Sequence, residues 1–286
     1  MNTVRRLGAL ERVWMAADRM APPFVISLVI EGAGTLTLQE VQDSVDSVVS
    51  RHPWLCAKLI GAFTTCRWTD RGNPPSVTEF SVPNWNGEDA TPLIPWDAKI
   101  SPTKGDTLSI WLVHSEVTRF IFRASHAFMD GKALLAFADA VGDGLNGVHA
   151  TTLKQAVLTD VSAARMTGVI PKKEQAKSRH PFRDRPTQAT GTMWRRRRIA
   201  LPSGHLLARV AIALKTFSAD TAQFLVEIPV NLRPVLGLEH DIGNLTGLLR
   251  LPITSEHPDQ VQACIMTEIS EKKHLSPILA AHSLRF

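Results

Sequence analysis

Ser125-His126-Ala127-Phe128-Met129-Asp130-Gly131 is the stretch on which the reading of this chain turns. Two segments of strand length precede it, Thr107–His114 and Thr118–Ser125, rich in Ile, Leu, Val and Phe and joined by a tight turn at Ser115–Val117. After it the apolar pattern switches to helical period: Ala133, Leu134, Phe137, Ala138 and Val141 share one face, and the helix ends near Gly144–Gly147. His126 therefore stands where a buried strand ends, a place from which side chains face a cleft. An imidazole with an ordinary pKa of roughly 6.5 takes up a proton at neutral pH, as a general base must. Asp130 falls at a helix N-terminus, where a carboxylate is favoured. Gly131 lets a ligand approach the backbone closely. A satisfied strand-end histidine and a plain helix cap give the same spacing, so the pattern alone leaves both readings open.

Upstream, Leu7, Leu10, Val13, Trp14 and Ala17 predict an amphipathic helix from Leu7 to Met20, stopped by Pro22 and Pro23. Phe24–Glu31 is a dense apolar run of strand length. A helix is expected from Thr37 to Arg51, with Thr37 and Glu40 spaced as a capping box and Val41, Val45, Val48 and Val49 as its buried stripe. Leu55–Ile60 and Thr65–Thr69 look like a short strand pair, and Asn73–Lys104 reads mostly as loop around short strands. Downstream, Lys172–Gln188 is polar, basic and proline-bearing, as a crossover linker is. Strands are expected at Met193–Leu201, Phe224–Val230 and Leu245–Ile253. Helices are expected from a Ser203 cap to Phe217 and from Pro258 to His274. The order implies two α/β lobes, each a mixed sheet flanked by helices: residues 1–171 carrying HxxxDG, a basic linker at 172–192 and a partial second lobe at 193–286.

Composition sets the bounds. A chain of 286 residues with 44% hydrophobic and 21% charged residues has the material for a sizeable core, which excludes disorder, collagen and coiled coil. The longest apolar run, Phe24–Ile30, is interrupted by Ser27 and is far shorter than the ~20 residues a spanning helix needs. Glu11, Arg12, Asp18 and Arg19 break any signal-peptide core, so a soluble, cytoplasmic protein is expected. Cys56, Cys66 and Cys264 form neither a CxxC pair nor an even framework and read as buried, reduced thiols. The histidines show no metal-ligand spacing, so no metal is expected. The net charge of +5 concentrates at Lys172–Arg185 and at Arg195–Arg198. The latter run fits either a phosphate site or a charge-protected edge strand. With only Trp194 beside it, a nucleic-acid site is not expected.

Strand, HxxxDG, helix resembles the chloramphenicol-acetyltransferase-like superfamily, which includes peptide-synthetase condensation domains, wax ester synthases, alcohol acetyltransferases and polyketide-associated acyltransferases. Ser50-Arg51-His52-Pro53-Trp54-Leu55 resembles the RHPxL stretch of those families. Ile228-Pro229-Val230-Asn231-Leu232-Arg233 resembles their pvNxR, and Asp241-Ile242-Gly243-Asn244 their xGN. The resemblance implies His126 as the base. It also implies Asp130 as a loop-organising acid paired with an arginine, Arg233 first and Arg5, Arg6 or Arg12 in reserve, and Gly131 as the residue that keeps a channel open. Ser125, Asn231 and Asn244 would line the cleft. Ser125 replaces the family's first histidine, which puts loop geometry in doubt, and the second lobe is short for the family. The implied activity is acyl transfer from a thioester, on coenzyme A or a carrier-protein phosphopantetheine arm, to an alcohol or amine, with no bound cofactor. The rival reading is a catalytically inactive condensation-like subunit that binds or scaffolds. The short second lobe leads to an expectation of self-association, or of a partner chain that completes it.

Overall fold

The structure, a computed structural model, describes residues 5–62, 65–148, 151–156, 168, 194–196, 204–216, 224–276 and 278–279. The expected linker at 172–192, the Ser203 cap and all but residues 194–196 of the Met193–Leu201 strand lie outside them.

The centre is a four-stranded sheet of β2 (Val25–Gly32), β5 (Ser76–Ser81), β6 (Leu108–His114) and β7 (Thr118–Ser125), in spatial order β2-β7-β6-β5. The β6–β7 hairpin and the β2–β7 pair are antiparallel, and β5 adds to β6 in parallel. Alternation along β7 assigns its faces. Phe120, Phe122 and Ala124 turn toward α2 (Leu38–Arg51) and α3 (Gly131–Leu145), packing with Val45, Val48, Leu134, Phe137 and Val141. Each such fully buried side chain contributes about 1.5–3 kcal/mol relative to exposure. The Thr37–Glu40 capping box starts α2. Where α2 crosses α3, Ser44 donates to the Val141 carbonyl, and a Cβ on Gly144 would collide with the Ser44 hydroxyl. The opposite face of β7 carries Ile121 between Arg119 and Arg123. These meet a tryptophan layer of Trp85, Trp96, Trp111 and Trp194.

Both arginines are buried. Arg119 pairs with Glu31 at 2.8 Å and lies over Trp85, while Arg123 lies 4.0 Å over Trp111. Burial pushes the Arg123 guanidinium down to about 10. Arg196 also pairs with Glu31, at 2.9 Å. Its hydrogen bond, seconded by Arg119, overcomes burial and holds the Glu31 carboxyl down to about 2. The Arg195 backbone forms an isolated antiparallel β-bridge with Asp89. The described half of the arginine run is thus fastened to the first lobe rather than lying on a free edge strand.

The second part is built on an antiparallel ribbon of β9 (Leu225–Asn231) and β11 (Thr246–Pro252), covered by α4 (Leu206–Thr216) and α6 (Pro258–Ser270). Between the strands lie the short helix α5 (Arg233–Leu236) and β10 (Asp241–Ile242), and β10 pairs in parallel with β8 (Lys154–Gln155). A small sheet of β1 (Arg5–Arg6), β4 (Arg67–Thr69) and β3 (Lys58–Ile60) packs Leu59 and Trp68 into the first-lobe core. The helix α1 (Ala9–Met20) joins the two parts: Ala9 and Leu10 pack with Leu232, Leu275, Ile278 and Leu279.

Three expectations are corrected. The last helix stops at Ser270, because Lys272 takes a left-handed conformation (φ 59°), and His274 sits in a separate 3-10 turn, Lys273–Leu275. Of the expected Leu55–Ile60 strand only Lys58–Ile60 is strand, because Leu55 closes a 3-10 turn, Pro53–Leu55, that Pro53 starts. Cys264 is exposed on α6, and Cys56 and Cys66 are half-buried. Among the described residues no helix is long and apolar enough to cross a membrane.

Candidate active site

His126 directly follows β7. Its N–H donates to the Phe24 carbonyl at 3.2 Å, one step past the Val25–Ser125 register, so His126 and Phe24 are cross-strand neighbours. The tight turn that follows is closed by Phe128 and Met129 N–H groups donating to the Ser125 carbonyl. Asn244 clamps it from the second part, donating to the carbonyls of His126 (2.8 Å) and Ala127 (3.0 Å).

Asp130 caps α3 by accepting the Ala133 N–H at 2.8 Å. The same buried carboxylate takes both Nη groups of Arg233, at 2.9 and 3.1 Å, together with the Leu245 N–H and the Thr246 hydroxyl, each at 2.9 Å. Arg233 is in turn satisfied by the carbonyls of Asp241 and Gly243 and by Asn231 Oδ1. A pair this deep holds because every lone pair and proton has a partner. Arg5, one reserve partner, bonds Glu11 instead, at 2.5 Å.

The structure thus brings His126, Asp130, Arg233, Asn231 and Asn244 into one locus. Gly131 opens α3 on an exposed position where a Cβ would meet nothing within 4 Å. Ser125 is buried, and His126 itself is half-buried. Burial pushes the His126 imidazole below its usual range. Its own backbone, the Asp130 charge, the Met129 backbone and Asn244 act in the opposite direction. Its Nδ1 is buried and makes no hydrogen bond of good geometry to any described residue. A cavity of about 360 Å³ opens beside Arg233, lined also by Lys132, Asp139, Asn231, Glu239 and His240. His126 is not among its lining residues. Among the described residues no cluster of His, Cys, Asp or Glu is arranged to hold a metal.

Sequence reasoning missed Trp14. Its indole stacks on the His126 ring with centroids 4.6 Å apart and planes 23° from parallel, and Phe24 lies 5.8 Å from the same imidazole. Trp14 occupies the apolar stripe of α1, where periodicity marks it only as a core residue.

No family model matches the sequence, and no curated protein matches it by sequence. Solved structures do match in shape. The tallysomycin biosynthesis protein TlmII aligns over 98% of this chain and 75% of its own, with 16% identity and a TM-score of 0.59. The condensation domain from the Monacolin K polyketide synthase MokA aligns over 99% and 76%, with 13% identity and a TM-score of 0.61. This is the chloramphenicol-acetyltransferase-like fold, and the chain spans about three quarters of the length of these structures. F. graminearum TRI101, complexed with coenzyme A and T-2 mycotoxin, shares it at 10% identity and a TM-score of 0.58, over 98% of this chain and 78% of that one. At these identities the likeness concerns the fold.

Proposed function

We propose that the chain is an acyltransferase that moves an acyl group from a thioester donor, on coenzyme A or a carrier-protein phosphopantetheine arm, to an alcohol or amine, with His126 as general base. The observation that carries this reading is the buried Asp130–Arg233 pair, beside the loop that holds a half-buried imidazole, pushed by burial toward its base form, at the end of β7. Since Nδ1 is enclosed, Nε2 is the nitrogen that takes the acceptor's proton. The acceptor oxygen or nitrogen then bonds to the thioester carbonyl carbon, giving a tetrahedral oxyanion. Collapse breaks the C–S bond, and the imidazolium returns its proton to the leaving thiolate, which leaves as free thiol. Asp130, with all its capacity spent on Arg233, Ala133, Leu245 and Thr246, positions the loop and exchanges no proton. The names of the structural neighbours, condensation domains and a protein complexed with coenzyme A, support the same chemistry.

The test compares the wild-type chain with H126A, using acetyl-CoA, octanoyl-CoA and an acyl-carrier protein as donors, a panel of alcohols and amines as acceptors, and hydrolysis as the blank. H126A is expected to lose about 10²-fold or more in turnover while remaining folded, with a cooperative urea transition. Undiminished transfer by H126A would overturn the assignment. The substitution of Ser125 for a histidine favours the second reading, a binding or scaffold subunit. Coenzyme A binding without turnover on any donor would establish that reading instead.

A further inference from the structure

The base proposed above has no well-aligned orienting hydrogen bond to a described residue at its enclosed nitrogen; its own backbone, the Met129 backbone and Asn244 lie near the ring only in weaker geometry. A catalytic imidazole is commonly held by a hydrogen bond from its second nitrogen to a carboxylate or carbonyl. Here His126 Nδ1 makes none of good geometry among the described residues, and the nearest acid, Asp130, is consumed by Arg233 and by backbone and hydroxyl donors. Aromatic faces take that place. The Trp14, Phe24 and His126 centroids form a triangle with sides of 4.6, 5.3 and 5.8 Å, and all planes lie within 23° of one another. Such a triangle is not a pile of three rings, whose outer members would stand much farther apart. The indole instead lies across both smaller rings, which sit side by side as cross-strand neighbours.

Trp14 is itself firmly placed. The buried Glu11 accepts the Gly8 N–H at 2.7 Å and the Arg5 guanidinium, fixing the start of α1. Asp18 accepts the Phe24 N–H at 2.7 Å, tying its far end to β2. Trp14 packs against two cores at once: the first-lobe core, and the cluster in which Ala9 and Leu10 meet Leu232, Leu275, Ile278 and Leu279.

We propose that Trp14 is the positioning residue of His126: its indole face, anchored through α1 to both parts of the molecule, fixes the plane of the imidazole and so the direction of the Nε2 lone pair. Near-parallel aromatic faces at this separation attract one another beyond simple area burial, which favours one orientation of the imidazole plane. Trp14 makes no proton transfer. The role assigned to it rests on the reading of His126 as base, whereas the contact is measurable without any turnover.

The experiment uses the full chain with W14L, which keeps apolar volume without a π face, and W14F, which keeps a ring. The His126 Hε1 resonance, assigned by its absence from H126Q, is expected upfield of the other histidines in the wild type through the indole ring current. It should return to the common position in W14L and remain partly displaced in W14F. With octanoyl-CoA as donor, W14L is expected to lose about 30-fold in kcat with KM within about twofold, the pattern of a misplaced base, while W14F recovers most of that loss. A folded W14L with wild-type shift and kcat overturns the proposal. If W14L does not fold, W14F decides: a His126 resonance without upfield displacement, or a kcat no different from wild type when the displacement is gone, overturns it. If H126A is fully active while the upfield shift is present, the base assignment fails and the positioning role with it, although the stack stands.

Discussion

Oδ2 of Asp130 lies 2.9 Å from Nη1 of Arg233, and Oδ1 lies 3.1 Å from Nη2, across 103 residues of sequence. Removing either partner strands a buried charge. D130A and R233A are each expected to lower the unfolding free energy by about 3–5 kcal/mol, and the double variant by clearly less than the sum. Urea denaturation measures all three. A loss below about 1 kcal/mol for either single variant would mean that the pair is not part of the folded state in solution.

The pH dependence of transfer follows from the direction in which burial moves His126. Burial pushes the imidazole below its ordinary value, so the base form predominates at neutral pH. The rate should climb with pH along an acidic limb centred below roughly 6.5 and level off above it toward pH 8. A limb centred above neutrality in a kcat/KM profile would contradict this.

Acid stability has a second source in His274. Its side chain is buried against β11, neither ring nitrogen has a hydrogen-bond partner among the described residues, and burial pushes its pKa down. A histidine whose folded pKa lies below its unfolded one binds its proton more tightly when unfolded. Stability is therefore full above about pH 6.5 and falls as pH drops through the folded value. H274L is expected to flatten that fall and cost little at pH 7, since no hydrogen bond is lost. An unchanged acid limb in urea titrations would refute it.

Gly131 separates stability from activity. A methyl group there meets no atom within 4 Å, and the position is the first of α3. G131A should fold as stably as wild type or better, by up to about 1 kcal/mol. If this face is the acyl or acceptor path, transfer should fall at the same time. A variant with unchanged kcat/KM would remove Gly131 from the channel.

The helix α4 is the surface from which self-association is expected. Leu206, Leu207, Val210 and Leu214 are 40–50% exposed on it, and Met266 on α6 is 56% exposed. A patch of this kind favours association over isolation. Light scattering at tens of micromolar should show a species larger than the monomer for wild type, and L207E with L214E should dissolve it. A monodisperse wild-type monomer would end the idea.

The local elements were legible because their signals are local. The Thr37–Glu40 box begins α2, the Ser115–Val117 turn closes the hairpin, and the period changes at Gly131. The meeting of Asp130 with Arg233 was legible only through resemblance, since nothing in spacing joins residues so far apart. Arg119 and Arg123 stand within the Thr118–Ser125 strand with no motif around them to mark them. Their separation by four residues puts both on one face, opposite the face bearing Phe122, but only the fold shows that tryptophans wait there. Trp14 was hidden by its own suitability for the core. A helical stripe states that a residue is covered, and leaves open whether an imidazole does the covering.

The five hydrogen bonds that converge on Asp130 also impose an order in time. When residue 130 leaves the ribosome, only the Ala133 amide is at hand for its carboxylate. Arg233, Leu245 and Thr246 follow 103, 115 and 116 residues later, a delay of roughly 5–20 s at ordinary synthesis rates. Through that interval the His126 loop has neither its ion pair nor the Asn244 clamp. The nascent first lobe therefore lacks the contacts that fix its His126 loop, and gains them in a late step that a chain stalled before residue 233 never reaches.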